Sequence, residues 1–430
     1  MKFAITVCNF PDEFSCKSGA CIDIYKRCDN RKDCDDGSDE DECKLLQIPE
    51  SYDKSSPPEL SDEVERPNEI YIQVDVINVD IVDTVAMVVG LTVEFVLKWK
   101  DHKVNYENLQ KFKNERGSVK IIPNKEKNKI WNPLPELVHD NAIIGETEVV
   151  DFFKLGVQVQ NEPLPMDAGL WRETLVYQGK ENILIVSQRM KLKYRCDFFL
   201  LYFPFEETTC EFYLSIRTTG NNSVMMTKND DSVIYQGPKI LNEFEIVDFW
   251  SRTGHHQTNT SFIYTFKFKR LYLQHLMTTF FQSFLLWILA YITLFINEND
   301  FSNRFMGAVT ALLVLAALLS SIGDQLPTTA YFKFVDLWFN WFIANIFLII
   351  LIHVLIDYYN NKNLSKNEQD DTKFKLSQNP TPTLFNKIKP TTQENEVQSF
   401  AFKLNYFFKI IVPSMTALFL FVYFTLTINE

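Results

Sequence analysis

Cysteine and clustered carboxylates are the side chains whose spacing carries chemistry in this chain. Cys196 and Cys210 enclose thirteen residues, Asp-Phe-Phe-Leu-Leu-Tyr-Phe-Pro-Phe-Glu-Glu-Thr-Thr. A disulfide between them closes a hairpin-sized ring. Its tip, Phe203-Pro204-Phe205, is stiff, because proline fixes its own φ and biases the preceding residue toward extended backbone. The tip is expected to project two rings as a mechanical contact. Six more cysteines, at 8, 16, 21, 28, 34 and 43, fall in a segment with almost no core-forming material. So small a unit needs covalent or metal staples to fold. Its second half reads Cys28-Asp-Asn-Arg-Lys-Asp-Cys34-Asp-Asp-Gly-Ser-Asp-Glu40. Carboxylates this close repel one another unless a hard cation gathers them, and Ca²⁺ takes about 6–8 oxygen ligands. The competing reading is a solvated acidic loop. Zinc fits less well, since no histidine accompanies the cysteines and the oxygen ligands are hard. No metal-hydrolase motif, phosphate loop or Ser/Cys–His constellation accompanies these groups, so the residues do not point to an enzyme.

The elements that must position these groups divide the chain in two. Residues 1–270 are polar and acidic and residues 271–430 hold the apolar runs, so the mean hydropathy of −0.11 averages unlike halves. A net charge of −12 argues against nucleic acid as a partner and against a polybasic membrane anchor. All eight cysteines precede residue 211, which places the first half in an oxidising compartment. The apolar stretch within Met1 to Val7 is about four residues, short of the roughly 7–15 of a signal peptide, so the sequence is expected to be trimmed at its start.

Residues 1–46 form the cysteine-rich module, and the Pro- and acid-rich residues 47–68 read as a linker. Strands are expected at 70–80, 86–99, 183–186, 191–196, 211–217, 243–251 and 262–270, which makes 69–270 a β-sandwich. Four apolar segments, 277–296, 305–322, 335–356 and 407–428, are long enough to cross a ~30 Å hydrocarbon core. Four spans put both termini on one side, and the disulfides make that side extracellular. Residues 357–402 then read as a flexible intracellular loop. The second span is unusual: Met306, Thr310, Leu313, Ala317, Ser320 and Asp324 recur at steps of four and three along one helical face that carries polar groups.

The disulfide loop ahead of four spans resembles the signature loop of the Cys-loop receptors, the pentameric ligand-gated ion channels. Trp99-Lys-Asp101 and Ile130-Trp131-Asn-Pro133 resemble the family's tryptophan motifs, read as core more than ligand contacts. Leu326-Pro-Thr-Thr-Ala-Tyr331 resembles its link between second and third spans, which sits against the disulfide loop. The N-terminal segment resembles the LDL-receptor class A repeat. That second resemblance implies the disulfides Cys8–Cys21, Cys16–Cys34 and Cys28–Cys43. It also implies calcium held by side chains of Asp29, Asp33, Asp39 and Glu40 and carbonyls of Lys26 and Arg31. The whole is expected to be multidomain: a small disulfide/calcium module, an all-β sandwich and a four-helix transmembrane bundle.

The channel resemblance implies a homo- or hetero-pentamer in the plasma membrane, opened by a small-molecule agonist at subunit interfaces and passing ions along the second span. Leu313 takes the place of the gate leucine, where a ring of five makes a dewetting constriction. Phe203, Pro204, Phe205, Leu326 and Pro327 would couple the outer domain to the spans. Glu206 replaces an aspartate and would pair with Arg270. Glu94 and Arg217 stand where an amine site carries aromatics, so an acetylcholine-like site is not expected. His255 and His256 lie in the place of the capping loop; histidine's ordinary pKa lies near neutral pH, which keeps a proton-gated alternative open beside the plainer reading of a solvated pair. Asn221 and Asn259 open glycosylation sequons. Gln282 stands where a proline is usual, so the helix kink there is expected to be missing. Asp324 at the outer mouth, with Glu298 and Asp300 before the inner one, leans toward cation selectivity, with anion selectivity as the alternative. A rival from another class is a multispan adhesion receptor whose N-terminal module captures a protein.

Overall fold

The structure is a computed structural model that describes residues 8–9, 12–58, 68–111, 117–164, 174–217, 224–256, 259–376 and 392–428. Side chains are described throughout these segments apart from 229–231, 255–260, 361–401 and 428. A small disulfide-rich module is followed by a sheet-rich domain and then by four apolar helices.

The module has a core of only Phe14, Cys16 and Cys34, with Ile22 packed against it. Cys8–Cys21, Cys16–Cys34 and Cys28–Cys43 are bonded, and these staples replace the hydrophobic burial that so short a segment lacks. The described residues that leave the module, up to Pro58, are anchored to the sheet-rich domain. Leu46–Gln47 pairs with Asn105–Glu107, which pairs in turn with Val176–Gln178. The Leu45 and Leu46 N–H groups donate to Glu126 Oε2 at 3.1 and 3.2 Å. The Tyr52 hydroxyl donates to Asp101 at 2.7 Å and accepts the Trp131 N–H at 2.9 Å. A Pro- and acid-rich composition hides such anchors, because backbone donors and a single ring leave no compositional mark.

The sheet-rich domain is built on β1 (Asn68–Asp83), β2 (Val88–Trp99), β3 (Val119–Ile121), β4 (Lys154–Gln158), β5 (Ile183–Arg195), β6 (Glu207–Ile216), β7 (Val224–Tyr235), β8 (Phe244–His256) and β9 (Asn259–Arg270). One sheet runs β7-β1-β2-β5-β4-β3, and the other runs β8-β9-β6 with Leu137–His139 at its edge. Period-two burial is plain in β1, where Ile70, Ile72, Val74 and Val76 face the core. The two runs expected at 183–186 and 191–196 are one strand. β7 pairs with β1 in parallel, with a shift between Lys228 and Val233. Its turn-rich centre, Lys228-Asn-Asp-Asp-Ser232, reads as a loop in sequence because a bulge breaks the alternation.

The four helices able to span a membrane are α1 (Leu273–Phe295), α2 (Phe301–Gln325), α3 (Phe334–Leu376) and α4 (Thr392–Ile428), the apolar parts of the last two being Phe334–Asn360 and Phe402–Thr427. The expectation of a loop at 357–402 is corrected: the backbone is helical to Leu376 and again from Thr392. Lys, Glu and Gln are good helix formers, so the helix continues after its apolar stretch ends. In α1 a π-turn at Leu276–Phe281 immediately precedes Gln282, so the helix is irregular there without a proline. One apolar cluster runs without a break from Ile24 through both sheets to Val412 and Tyr423 in α4.

Candidate functional site

The outer domain places the sequence-predicted residues unevenly. Trp99 and Trp131 are buried and meet edge-to-face at 5.9 Å, a core pair. Asp101 behind them is fully buried, and burial pushes its carboxyl above the usual range while the Tyr52 hydroxyl and the Lys103 N–H pull it back. Glu94 on β2 faces Arg189 on β5 at 3.1 Å, so it is already engaged within the chain. Arg217 is exposed. Asn221 lies outside the described residues. For His255, His256 and Asn259 only the backbone is described, paired across the β8–β9 hairpin.

The loop closed by Cys196–Cys210 lies between the sheets and the helices. Its tip does not project two free rings: Phe203 and Pro204 are buried. The Phe203 ring lies 5.0 Å from His275 of α1, and Phe205 lies 5.1 Å from Tyr272. Two other rings of the loop reach the link between α2 and α3. Phe199 lies 5.3 Å from Tyr331, and Tyr202 stacks at 5.3 Å on Phe334. The backbone joins in: the Leu200 N–H donates to the Tyr331 hydroxyl at 3.0 Å, and the Phe334 N–H donates to the Leu201 carbonyl at 2.9 Å. Leu326 is buried at this junction, and Lys333 Nζ donates to the Pro327 carbonyl at 3.0 Å.

At the centre of the junction sits Arg270, the last residue of β9, 3 % exposed. Its Nε donates to Glu206 at 2.5 Å and its Nη1 to Glu243 at 3.0 Å. Its guanidinium carbon lies 4.4 Å from the Phe244 ring and 5.1 Å from the Phe203 ring, a cation–π cradle. The Glu206–Arg270 pair is legible in sequence from the loop and the end of the last strand. Glu243, His275, Phe199 and Tyr202 are not, because they enter from three separate places with no pattern that links them.

On α2, Met306, Thr310, Leu313, Ala317, Ser320 and Asp324 are all exposed, with Met306 at 56 % and Leu313 at 65 %. The opposite face, Arg304, Ala308, Ala311, Leu315 and Ile322, is buried in the bundle. Asp300 caps the helix, accepting the Asn303 N–H at 3.4 Å and its side-chain amide at 2.6 Å.

In the module, Asp39 is fully buried and its Oδ1 has no partner, while its Oδ2 accepts the Asp33 N–H at 2.7 Å. Asp29 accepts from Arg31 N–H at 2.8 Å, Glu40 from Asn30 N–H at 2.9 Å, and Lys26 Nζ bridges to Asp33 at 2.9 Å. Burial first, then Asp29 and Asp39, raise the Glu40 carboxyl, opposed by N–H donors from Asn30 and Arg31. These carboxylates share one loop without closing on a common point. Among the described residues only Cys8, Glu13 and Cys21 bring three ligand-type atoms within 4.8 Å, and there both sulfurs belong to a disulfide.

Comparison with known proteins decides the family. Residues 6–43 match the low-density lipoprotein receptor domain class A, and residues 42–281, more than half the chain, match the neurotransmitter-gated ion-channel ligand binding domain. The chain belongs to the neurotransmitter-gated ion-channel family. It is similar to a glutamate-gated chloride channel of Drosophila melanogaster, 21 % identical over 73 % of this chain and 64 % of that protein. It is also similar to the gamma-aminobutyric acid receptor subunit rho-2 of Bos taurus, 23 % identical over 44 % of this chain and 43 % of that one. For the Homo sapiens rho-2 subunit the figures are 21 %, 67 % and 57 %. The chain thus spans less than two thirds of the length of these relatives.

Within this family member the Arg270 cluster makes a sharp prediction. Arg270→Ala leaves Glu206, whose side chain is 2 % exposed, as a buried unpaired carboxylate. Breaking such a pair from one side costs about 3–5 kcal/mol. Glu243→Gln removes only a contact to a side chain that is 60 % exposed, and should cost well under 1 kcal/mol. Surface biotinylation of the two variants checks this: Arg270→Ala is expected to be nearly lost from the surface, and Glu243→Gln to remain.

Proposed function

We propose that the chain is one subunit of a pentameric ligand-gated ion channel in the plasma membrane, with both termini outside. Five α2 helices line the pore with the Met306–Asp324 face, and Leu313 forms the closed constriction. A small-molecule agonist at the outer subunit interfaces binds the open arrangement more tightly and so shifts a closed–open equilibrium. The junction of the Cys196–Cys210 loop, Arg270 and the Leu326–Tyr331 link carries that shift to α2. The observation that carries the reading is the division of α2 into one exposed face with polar groups and one buried face, directly beneath that junction. A lipid-facing helix has no use for Thr310, Ser320 and Asp324 on its exposed side.

Five Asp324 carboxylates at the outer mouth, and Asp300 held by Asn303 at the inner end, concentrate cations, so we read the pore as cation-selective. A second reading, anion selectivity, is favoured by the chloride channel among the relatives. Reversal potentials under separate sodium and chloride gradients decide: cation selectivity requires the potential to follow sodium, and Asp324→Asn to lower the sodium conductance. The agonists to be applied include glutamate and gamma-aminobutyric acid, from the relatives' names.

The module is read as a calcium site held by Asp29, Asp33, Asp39 and Glu40 with the Lys26 and Arg31 carbonyls. The buried, unpartnered Asp39 Oδ1 supports this, since an uncompensated carboxylate oxygen costs free energy that a cation recovers. Calcium there would neutralise the loop, and Asp33 would give up its exposed pair with Lys26 to serve as a ligand. In the full-length protein, EDTA is expected to open residues 8–43 to protease while the sheet domain stays resistant. Asp39→Ala should do the same with calcium present. Equal resistance with and without EDTA would remove calcium from the account.

A further inference from the structure

Arg304 opens the second turn of α2 yet is 1 % exposed, turned away from the exposed face into the bundle. A buried charge at membrane depth is costly and needs named partners. Its Nε donates to the Thr293 carbonyl of α1 at 3.3 Å, and its Nη2 donates to Asn405 Oδ1 of α4 at 2.9 Å. Asn405 is itself buried, and its Nδ2 donates to Glu298 at 2.9 Å and to the Leu294 carbonyl at 3.3 Å. Arginine can only donate, and a carboxylate and a carbonyl can only accept, so the amide of Asn405 has a single satisfying orientation. It relays the Arg304 charge to Glu298, which makes no direct ion pair with the guanidinium. On the far side of Thr293, its hydroxyl pairs with His353 of α3 at 2.8 Å, so all four helices meet around this arginine.

We infer that Asn405 is a positioning residue: by holding Arg304 it sets the rotation of the inner half of α2, and with it the direction in which Met306 and Thr310 point. The consequence for conduction rests on the pore reading above; the packing test does not. An apolar residue at 405 strands the buried guanidinium and takes from the half-buried Glu298 its amide partner, and the inner turns of α2 relieve this by turning Arg304 outward. That movement brings the buried Ala308 toward the surface. The outer end of α2, about five to six turns beyond Arg304, has no part in it.

The described residues include no free cysteine, so an introduced thiol reports alone. Full-length protein in membrane fragments, open to reagent from both faces, is labelled with biotinylated aminoethyl methanethiosulfonate at one of two buried α2 positions, Ala308→Cys or Ile322→Cys. Asn405→Leu is expected to raise the labelling rate at Ala308→Cys about tenfold, as a local opening would, and to leave Ile322→Cys unchanged. Asn405→Asp keeps an oxygen acceptor for Arg304 but loses the amide donor to Glu298, so its labelling is expected to fall between the parent rate and that of Asn405→Leu. No rise at Ala308→Cys, an equal rise at both cysteines, or Asn405→Asp labelling as fast as Asn405→Leu each overturns the proposal. Should Asn405→Leu fail to reach the membrane, Glu298→Gln decides, with about a threefold rise at Ala308→Cys alone supporting the relay and no rise refuting it. Slow labelling of Met306→Cys in the parent would count against the pore reading, and the Ala308-to-Ile322 comparison would still judge Asn405.

Discussion

Leu313→Ser is expected to produce current without agonist, or to raise agonist sensitivity by about tenfold, a bias of about 1.4 kcal/mol on the closed–open equilibrium. Leu313 is among the most exposed apolar residues of α2, at 65 %, and it lies on the face that carries Thr310, Ser320 and Asp324. A ring of five leucines keeps a narrow pore dry, and a ring of five serines wets it. Leu312 is the control, because it is half-buried and packs against the apolar core, off that face. Leu312→Ser should change gating far less. Were Leu312→Ser to leak while Leu313→Ser behaved as the parent, the pore face would be assigned wrongly.

The Cys196→Ser/Cys210→Ser variant should fail to assemble at the surface, rather than merely gate differently. The disulfide closes a loop that contacts α1 through Phe203 and Phe205, and the α2–α3 link through Phe199, Tyr202 and two backbone hydrogen bonds. Native disulfides commonly contribute about 2–5 kcal/mol, and here the loss falls on the surface that joins two domains. Surface biotinylation with recording from the same cells tests it. Normal surface density with normal gating would remove the loop from the coupling path.

Much of this arrangement is legible in residue order because its signals are local. The cysteine spacings, four apolar runs and the strand alternation of residues 70–80 each lie within a short window. Glu206 and Arg270 are legible as a pair through the family resemblance, with Glu206 in the place of the loop's usual aspartate and Arg270 at the end of β9. What sequence hides are contacts made by residues with no pattern between them. Tyr52 anchors a segment whose prolines suggest a loose linker, and one hydroxyl between Asp101 and Trp131 leaves no trace in composition. β7 is masked by its bulge at Lys228–Val233. Asn405 reads as one polar residue in an apolar helix, and only the fold brings it to Arg304. Helix ends mislead in the opposite sense: the polar residues after 356 suggest a loop, while the backbone continues helical to Leu376.

The central claim is that copies of this chain enclose a pore along α2 that a ligand opens from outside. The most direct test is membrane current from cells expressing the full-length chain, with surface density measured, during steps of pH and of a panel of transmitters, alongside the Leu313→Ser variant. The account predicts a ligand- or pH-evoked current in the parent, a standing current in Leu313→Ser, and a reversal potential that follows sodium. Protein abundant at the surface, with both the parent and Leu313→Ser electrically silent under every condition, would contradict it.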